Sequence, residues 1–175
     1  MRGGRALTLL AVFAVTLITA HAQENTTFST VPAQDYFQIK QLYARYVQGL
    51  DSAADGGAMF ANVFTPDGVL IDERGRLTQG HAELAQLART TGKGPTHVAH
   101  YETNLLISPA PGGATGRSYV MSVVPGQAGQ AGILSNDGQF QDELVKTPDG
   151  WRFKKREYHA APLERPAGPA ATGTR

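Results

Sequence analysis

Over residues 35–50 the apolar positions Tyr36, Ile39, Leu42, Tyr43, Tyr46, Val47 and Leu50 recur at spacings of three and four. That period gathers them on one stripe of a helix. A shorter helical stretch, 56–64, carries Met59, Phe60, Val63 and Phe64 and stops at Thr65-Pro66-Asp67-Gly68, a turn sequence. Val69-Leu70-Ile71 then opens a strand, and Gln79-Gly80-His81 leads into a third helix with Leu84 and Leu87 three apart, ended by Thr90-Thr91-Gly92. After Pro95 the period changes to long β-like runs at 96–107, 114–124, 133–146 and 151–158, divided by clusters of Gly, Pro, Asn and Asp. Thr147-Pro148-Asp149-Gly150 reads as a hairpin turn. The predicted order is α-α-β-α-β-β-β-β, an α+β fold with a mostly antiparallel sheet and helices packed on one face.

The two ends follow other patterns. Arg2 and Arg5 precede a mostly apolar run, 6–20, and Thr19-Ala20-His21-Ala22 closes it with an A-x-A site, the arrangement of a cleavable secretory signal peptide. The run is too short for a membrane anchor, so residues 1–22 are expected to be removed and the product to be secreted or periplasmic, with no membrane association after cleavage. Residues 23–34 are polar and aperiodic and read as a flexible leader. The tail, 162–175, is rich in Pro, Gly and Ala and is expected to be disordered. One domain, 35–161, remains.

Composition narrows the function. Cleavage removes two of the 16 basic side chains and none of the 15 acidic ones, so the mature chain carries a net charge of −1 and lacks the basic excess of a nucleic-acid binder. The one basic cluster, Lys154-Lys155-Arg156, alternates along a strand and reads as a solvated face. Cysteine is absent, which removes thiolate catalysis and Cys-ligated metals and leaves the fold to its apolar core. No His-x-x-x-His pair, Gly-rich phosphate loop or G-x-S-x-G elbow occurs, so neither a metal nor a nucleotide cofactor is expected.

The order of elements together with four local segments resembles the SnoaL-like branch of the nuclear transport factor 2 superfamily, which includes polyketide cyclases, scytalone dehydratase and ketosteroid isomerase. The segments are Tyr43-Ala-Arg-Tyr-Val-Gln-Gly-Leu-Asp51, Phe64-Thr-Pro-Asp-Gly-Val, His100-Tyr-Glu-Thr-Asn104, and Asp142-Glu-Leu-Val-Lys with Gly150-Trp-Arg-Phe. The resemblance implies a cone: a curved, mostly antiparallel sheet wrapped around the N-terminal helices, with an apolar cavity for a small hydrophobic molecule. It also implies a homodimer and cofactor-free acid/base chemistry.

Residue by residue, the resemblance to scytalone dehydratase makes Asp51 the partner of a catalytic His100. A carboxylate that holds an imidazole in one tautomer makes a general base suited to a proton beside a carbonyl. Asp51 reads equally as a cap for the following helix, and His100 as a plain structural histidine. His97 and His100 are an odd number apart, so a regular strand points them to opposite faces, whereas His100 and Asn104 share one; a bulge would overturn that parity. Tyr46 aligns with the oxyanion-hole tyrosine of ketosteroid isomerase-like sequences, yet it also lies on the buried stripe. Asp72 falls near that family's base, with a one-residue ambiguity against Glu73. Tyr43, Phe60 and Ser118 complete the candidate substrate contacts; Ser118 stands where the dehydratase has a second histidine. Two functions follow: an isomerase, dehydratase or cyclase, or a non-catalytic ligand-binding or dimerisation module on the same cone.

Overall fold

The computed structural model describes residues 30–92 and 98–161. The signal peptide, most of the leader, His97 and the tail lie outside the described residues.

Helix α1, Ala33–Ser52, starts after Pro32 and buries Ile39, Leu42, Tyr43, Tyr46 and Leu50 along the expected stripe. Tyr36 and Val47 flank that stripe and are only partly covered. The helix stops because Ala53 turns left-handed, at φ 48°, and returns its N–H to the Gly49 carbonyl. Gly49 is required for packing: a Cβ there would press into the Phe60 backbone. A 3-10 turn, Ala54–Gly57, then reverses the chain into the single turn α2, Ala58–Ala61.

Strand β1, Phe64–Ile71, begins earlier than the sequence predicts. Thr65-Pro66-Asp67-Gly68 lies inside it as an irregularity, because the register against the neighbouring strand runs from Phe64↔Phe153 directly to Val69↔Lys155. Pro66 and Asp67 are pushed out to solvent, where the missing proline N–H costs no ladder bond. A short strand not anticipated from sequence, β2 (Leu77–Gln79), pairs back on β1 and leads into α3, Gly80–Gly92. The remaining strands, β3 (Ala99–Ala110), β4 (Gly113–Val124), β5 (Ile133–Thr147) and β6 (Gly150–Ala160), form an antiparallel meander. The sheet order is β2-β1-β6-β5-β4-β3, with β1 and β6 the parallel pair.

Register shifts interrupt the ladders between Thr103 and Leu106 on β3, at Ser135 on β5 and at Lys154 on β6. Each bulge bends its strand and increases the local twist, so the sheet curves around α1. Its inner face supplies Phe140, Leu144, Phe153 and Val120, which close the core with Tyr46, Phe60 and Phe64. No helix among the described residues is long and apolar enough to cross a membrane.

One bulge corrects a reading of the basic cluster. Glu143 pairs Lys155 while Leu144 pairs Phe153, which leaves Lys154 as the extra residue. Inward positions therefore run Trp151, Phe153, then Arg156 and Tyr158. Lys154 is solvated, but Arg156 is completely buried. Its guanidinium donates to Asp142 (Nε to Oδ1, 2.8 Å) and to Glu102, and it stacks among the rings of Tyr46, Phe140, Phe153 and Tyr43 at 4.0, 4.0, 4.4 and 4.9 Å. Charge-assisted hydrogen bonds and cation–π contacts offset its desolvation.

Candidate functional site

Asp51 ends α1 on the side that faces β3. Its Oδ1 lies 2.5 Å from His100 Nδ1, and its Oδ2 accepts the His100 backbone N–H at 2.9 Å. Both carboxylate oxygens are thus spent on one residue, 49 positions away in sequence. The capping alternative does not hold: the turn after α1 is served by Ser52, whose Oγ accepts the Ala54 N–H at 3.2 Å. The side chains of His100 and Asp51 are 20% and 18% exposed, sheltered from bulk water yet open to a ligand. With Nδ1 donating to the carboxylate, the ring is held in one tautomer, and Nε2 is the nitrogen left to accept a proton.

His100 pairs with Ser122 across the β3–β4 ladder, and both residues line a cavity of about 150 Å³ at the open end of the cone. Its walls are largely apolar, built from Leu50, Leu70, Ile71, Val120 and Phe140, with a few convergent polar groups, as expected of a small-molecule site. Tyr46 both packs and lines. Its ring sits 5.7 Å from that of Phe140 and under Arg156. Burial, outweighing the nearby guanidinium, pushes the phenol well above its ordinary value, so its hydroxyl stays a neutral donor.

Three polar lining residues were not singled out from sequence: Ser122, Asn136 and Tyr158. Ser122 exchanges a 2.9 Å hydrogen bond with Ser135. Tyr158 donates to Asn136 Oδ1 at 2.6 Å, and the Asp137 N–H donates to the same oxygen at 2.9 Å. The available signal was the inward phase of β6 after its bulge, which local spacing conceals.

The other candidates stand elsewhere. Asn104 is the bulged residue of β3, left-handed at φ 52° and exposed. The bulge breaks the regular alternation between it and His100, and it lines an outer groove between α1 and β3 that His100 also touches. Tyr43 borders that groove too, but its hydroxyl is committed to Asp142 at 2.5 Å. Ser118 is buried and donates to Glu102 at 2.5 Å, while Phe60 is wholly enclosed in the core. Asp72 reaches the cavity wall beside Glu73, but its carboxylate closes the turn to Arg76. It accepts the N–H groups of Arg74 and Arg76 at 2.9 and 3.0 Å and the Arg76 Nε at 2.6 Å. Partial burial would raise its pKa, but these donors outweigh it and hold the carboxyl below its usual value, which makes it a poor base at neutral pH. Among the described residues no group of three or more His, Asp or Glu is placed to hold a metal.

A family model for the SnoaL-like domain matches residues 32–157. The chain belongs to this family. Solved structures with the same fold include a variant of Rv3472, a function-unknown protein of Mycobacterium tuberculosis (27% identity, TM-score 0.67, covering 75% of this chain and 74% of that one). A second is ActVI-ORFA of Streptomyces coelicolor (20%, 0.65, 75% and 98%). A third is a candidate scytalone dehydratase of Novosphingobium aromaticivorans (20%, 0.60, 73% and 85%). No curated protein matches the chain. Relatives with the cystatin-like fold agree with the SnoaL-like cone of helices and curved sheet described above.

Proposed function

We propose that this SnoaL-like protein is an exported, cofactor-independent isomerase, dehydratase or cyclase that works by general acid/base chemistry on a small hydrophobic cyclic molecule. The observation that carries the reading is the Asp51–His100 pair, whose histidine lines a largely apolar cavity. In the reaction, His100 Nε2 takes a proton from carbon next to a carbonyl. The C–H electron pair moves toward the carbonyl oxygen, where the Tyr46 hydroxyl stabilises the charge that develops. Asp51 balances the imidazolium that forms. His100 then returns the proton, either to another carbon, giving an isomer, or to a β-hydroxyl that leaves as water. The family's link to cyclases and dehydratases supports this class of step.

The test is incorporation of solvent deuterium beside the carbonyl of a cyclic ketone, followed by NMR. His100→Ala is expected to lower the rate by about 10²–10⁴-fold. Equal rates in the two chains would remove His100 from the chemistry and favour a non-catalytic binding cone.

A further inference from the structure

The outer groove between α1 and β3 has a direction and a length. The helix lines it with Tyr36, Lys40, Tyr43, Ala44, Val47 and Gln48, whose spacing keeps them on one helical face. The outermost strand of the sheet lines it with the stretch from His100 to Leu105. Asp51, near the C-terminal end of α1, holds His100 near the start of β3. Helix and strand therefore run in opposite directions, with His100 toward one end of the groove and Lys40 toward the other. From Lys40 to Asp51 the helix advances about 16 Å at its usual rise per residue.

The wall changes character along that length. Tyr43, Ala44, Val47 and Leu105 make its middle largely apolar. Glu102 borders it too, but its carboxylate is 5% exposed and turned to Arg156 and Ser118. Among the described residues the lysines in ion pairs are Lys146, Lys154 and Lys155. Lys40 is left without a counter-charge, its ammonium 6.0 Å from the centre of the Tyr36 ring. An extended peptide added to the edge of β3 fits poorly. The His100 N–H is already held by Asp51, and the ladder register breaks after Thr103, which leaves too short a regular edge for strand addition. We propose that this groove binds a linear amphiphile with an anionic head, a medium-chain carboxylate. Its head sits at Lys40 and its chain runs along Tyr43, Ala44 and Val47 toward His100. The site stands on the groove alone and does not depend on the general-base reading.

Calorimetric titration of the full chain with butanoate, octanoate, octan-1-ol and octylammonium at low ionic strength tests the site. Octanoate is expected to bind more tightly than butanoate, by about twofold for each added CH₂, since a groove buries each one only in part. It should also bind more tightly than octylammonium. Lys40→Gln should weaken octanoate by about fivefold, the upper worth of an exposed ion pair, and leave octan-1-ol unchanged. Ala44→Trp adds its ring at an exposed position of α1 and should abolish binding of both by filling the groove. Near-ultraviolet circular dichroism confirms that each variant retains the parent packing. Failure of octanoate to bind overturns the proposal, as does octylammonium binding equally tightly. Octanoate affinity left unchanged by either substitution also overturns it and moves the chain to the cavity beside His100. Tighter binding of an uncharged Thr-Val-Thr-Val peptide than of octanoate, lost in Ala44→Trp, would overturn it in favour of strand addition.

Discussion

At the scale of single residues, His100 and Asp51 divide one task. Asp51 holds both the ring and the backbone of His100, so Asp51→Asn should preserve the fold while offering the imidazole the wrong partner. An amide NH₂ facing Nδ1 favours the tautomer with its proton on Nε2, where it cannot serve as a base. The expected loss is about 10²–10⁴-fold in deuterium exchange, with affinity for the cyclic ketone changed far less. Tyr46 is tested by Tyr46→Phe, which keeps the ring against Phe140 and Arg156 and removes only the donor. The exchange rate should fall by about 10²–10³-fold, the usual worth of one oxyanion donor, with the urea midpoint nearly unmoved. A large stability loss instead would mark the hydroxyl as structural.

At the scale of elements, two polar joints hold helix to sheet. The first is Asp35 in the opening turn of α1, which accepts from Lys146 Nζ at 2.7 Å and Trp151 Nε1 at 3.0 Å on the β5–β6 hairpin. The Lys146 and Trp151 donors hold its carboxyl below the ordinary value of 3.8 against the opposing effect of burial. Its folded pKa being the lower one, its stabilisation is complete above the unfolded value and disappears as pH falls through the folded one. Asp35→Asn should therefore remove part of the acid sensitivity below about pH 4, read as a shallower fall of the urea midpoint with decreasing pH.

The second joint is Arg156 between Asp142 and Glu102. Arg156→Met leaves two buried carboxylates without their cation and should cost about 3–5 kcal/mol in chemical denaturation. Adding Glu102→Leu, Asp142→Leu and Tyr43→Phe to that variant should recover much of the loss, since a well-packed apolar replacement for a buried ion cluster is often neutral. No recovery would mean that the cluster contributes more than charge compensation. The cluster was partly legible in advance: Asp142 interrupts the apolar inward series Phe140 and Leu144 on β5, and a carboxylate at such a position needs a buried partner.

For the whole molecule, the outer face of the sheet carries exposed Tyr101, Tyr119 and Met121 on adjacent strands, with Tyr101 opposite Met121. We take this face to meet a second copy of the chain, the homodimer expected from the family resemblance. Light scattering after size exclusion should give a dimer mass for the parent and a monomer mass for Tyr101→Glu combined with Met121→Glu. A parent monomer would dismiss the dimer. Export is checked by N-terminal sequencing of the protein recovered outside the cytoplasm, which should begin at Gln23.

Apart from the short strand β2, helix and strand order, the α1 stripe and the mostly antiparallel sheet could be read from the chain because each rests on a local period of apolar residues. Asp51 and His100 were paired in advance through resemblance, and the curvature of the sheet brings them into contact. What only the tertiary structure decided is the facing of residues beyond each bulge. Asn104 turned outward, Arg156 turned into the core, and Tyr158 and Asn136 reached the cavity. A bulge adds one residue to one strand, and its position depends on how that strand pairs and packs against others far away in sequence. Alternation along a single strand cannot reveal it. The volume left beside His100 depends on the same non-local packing.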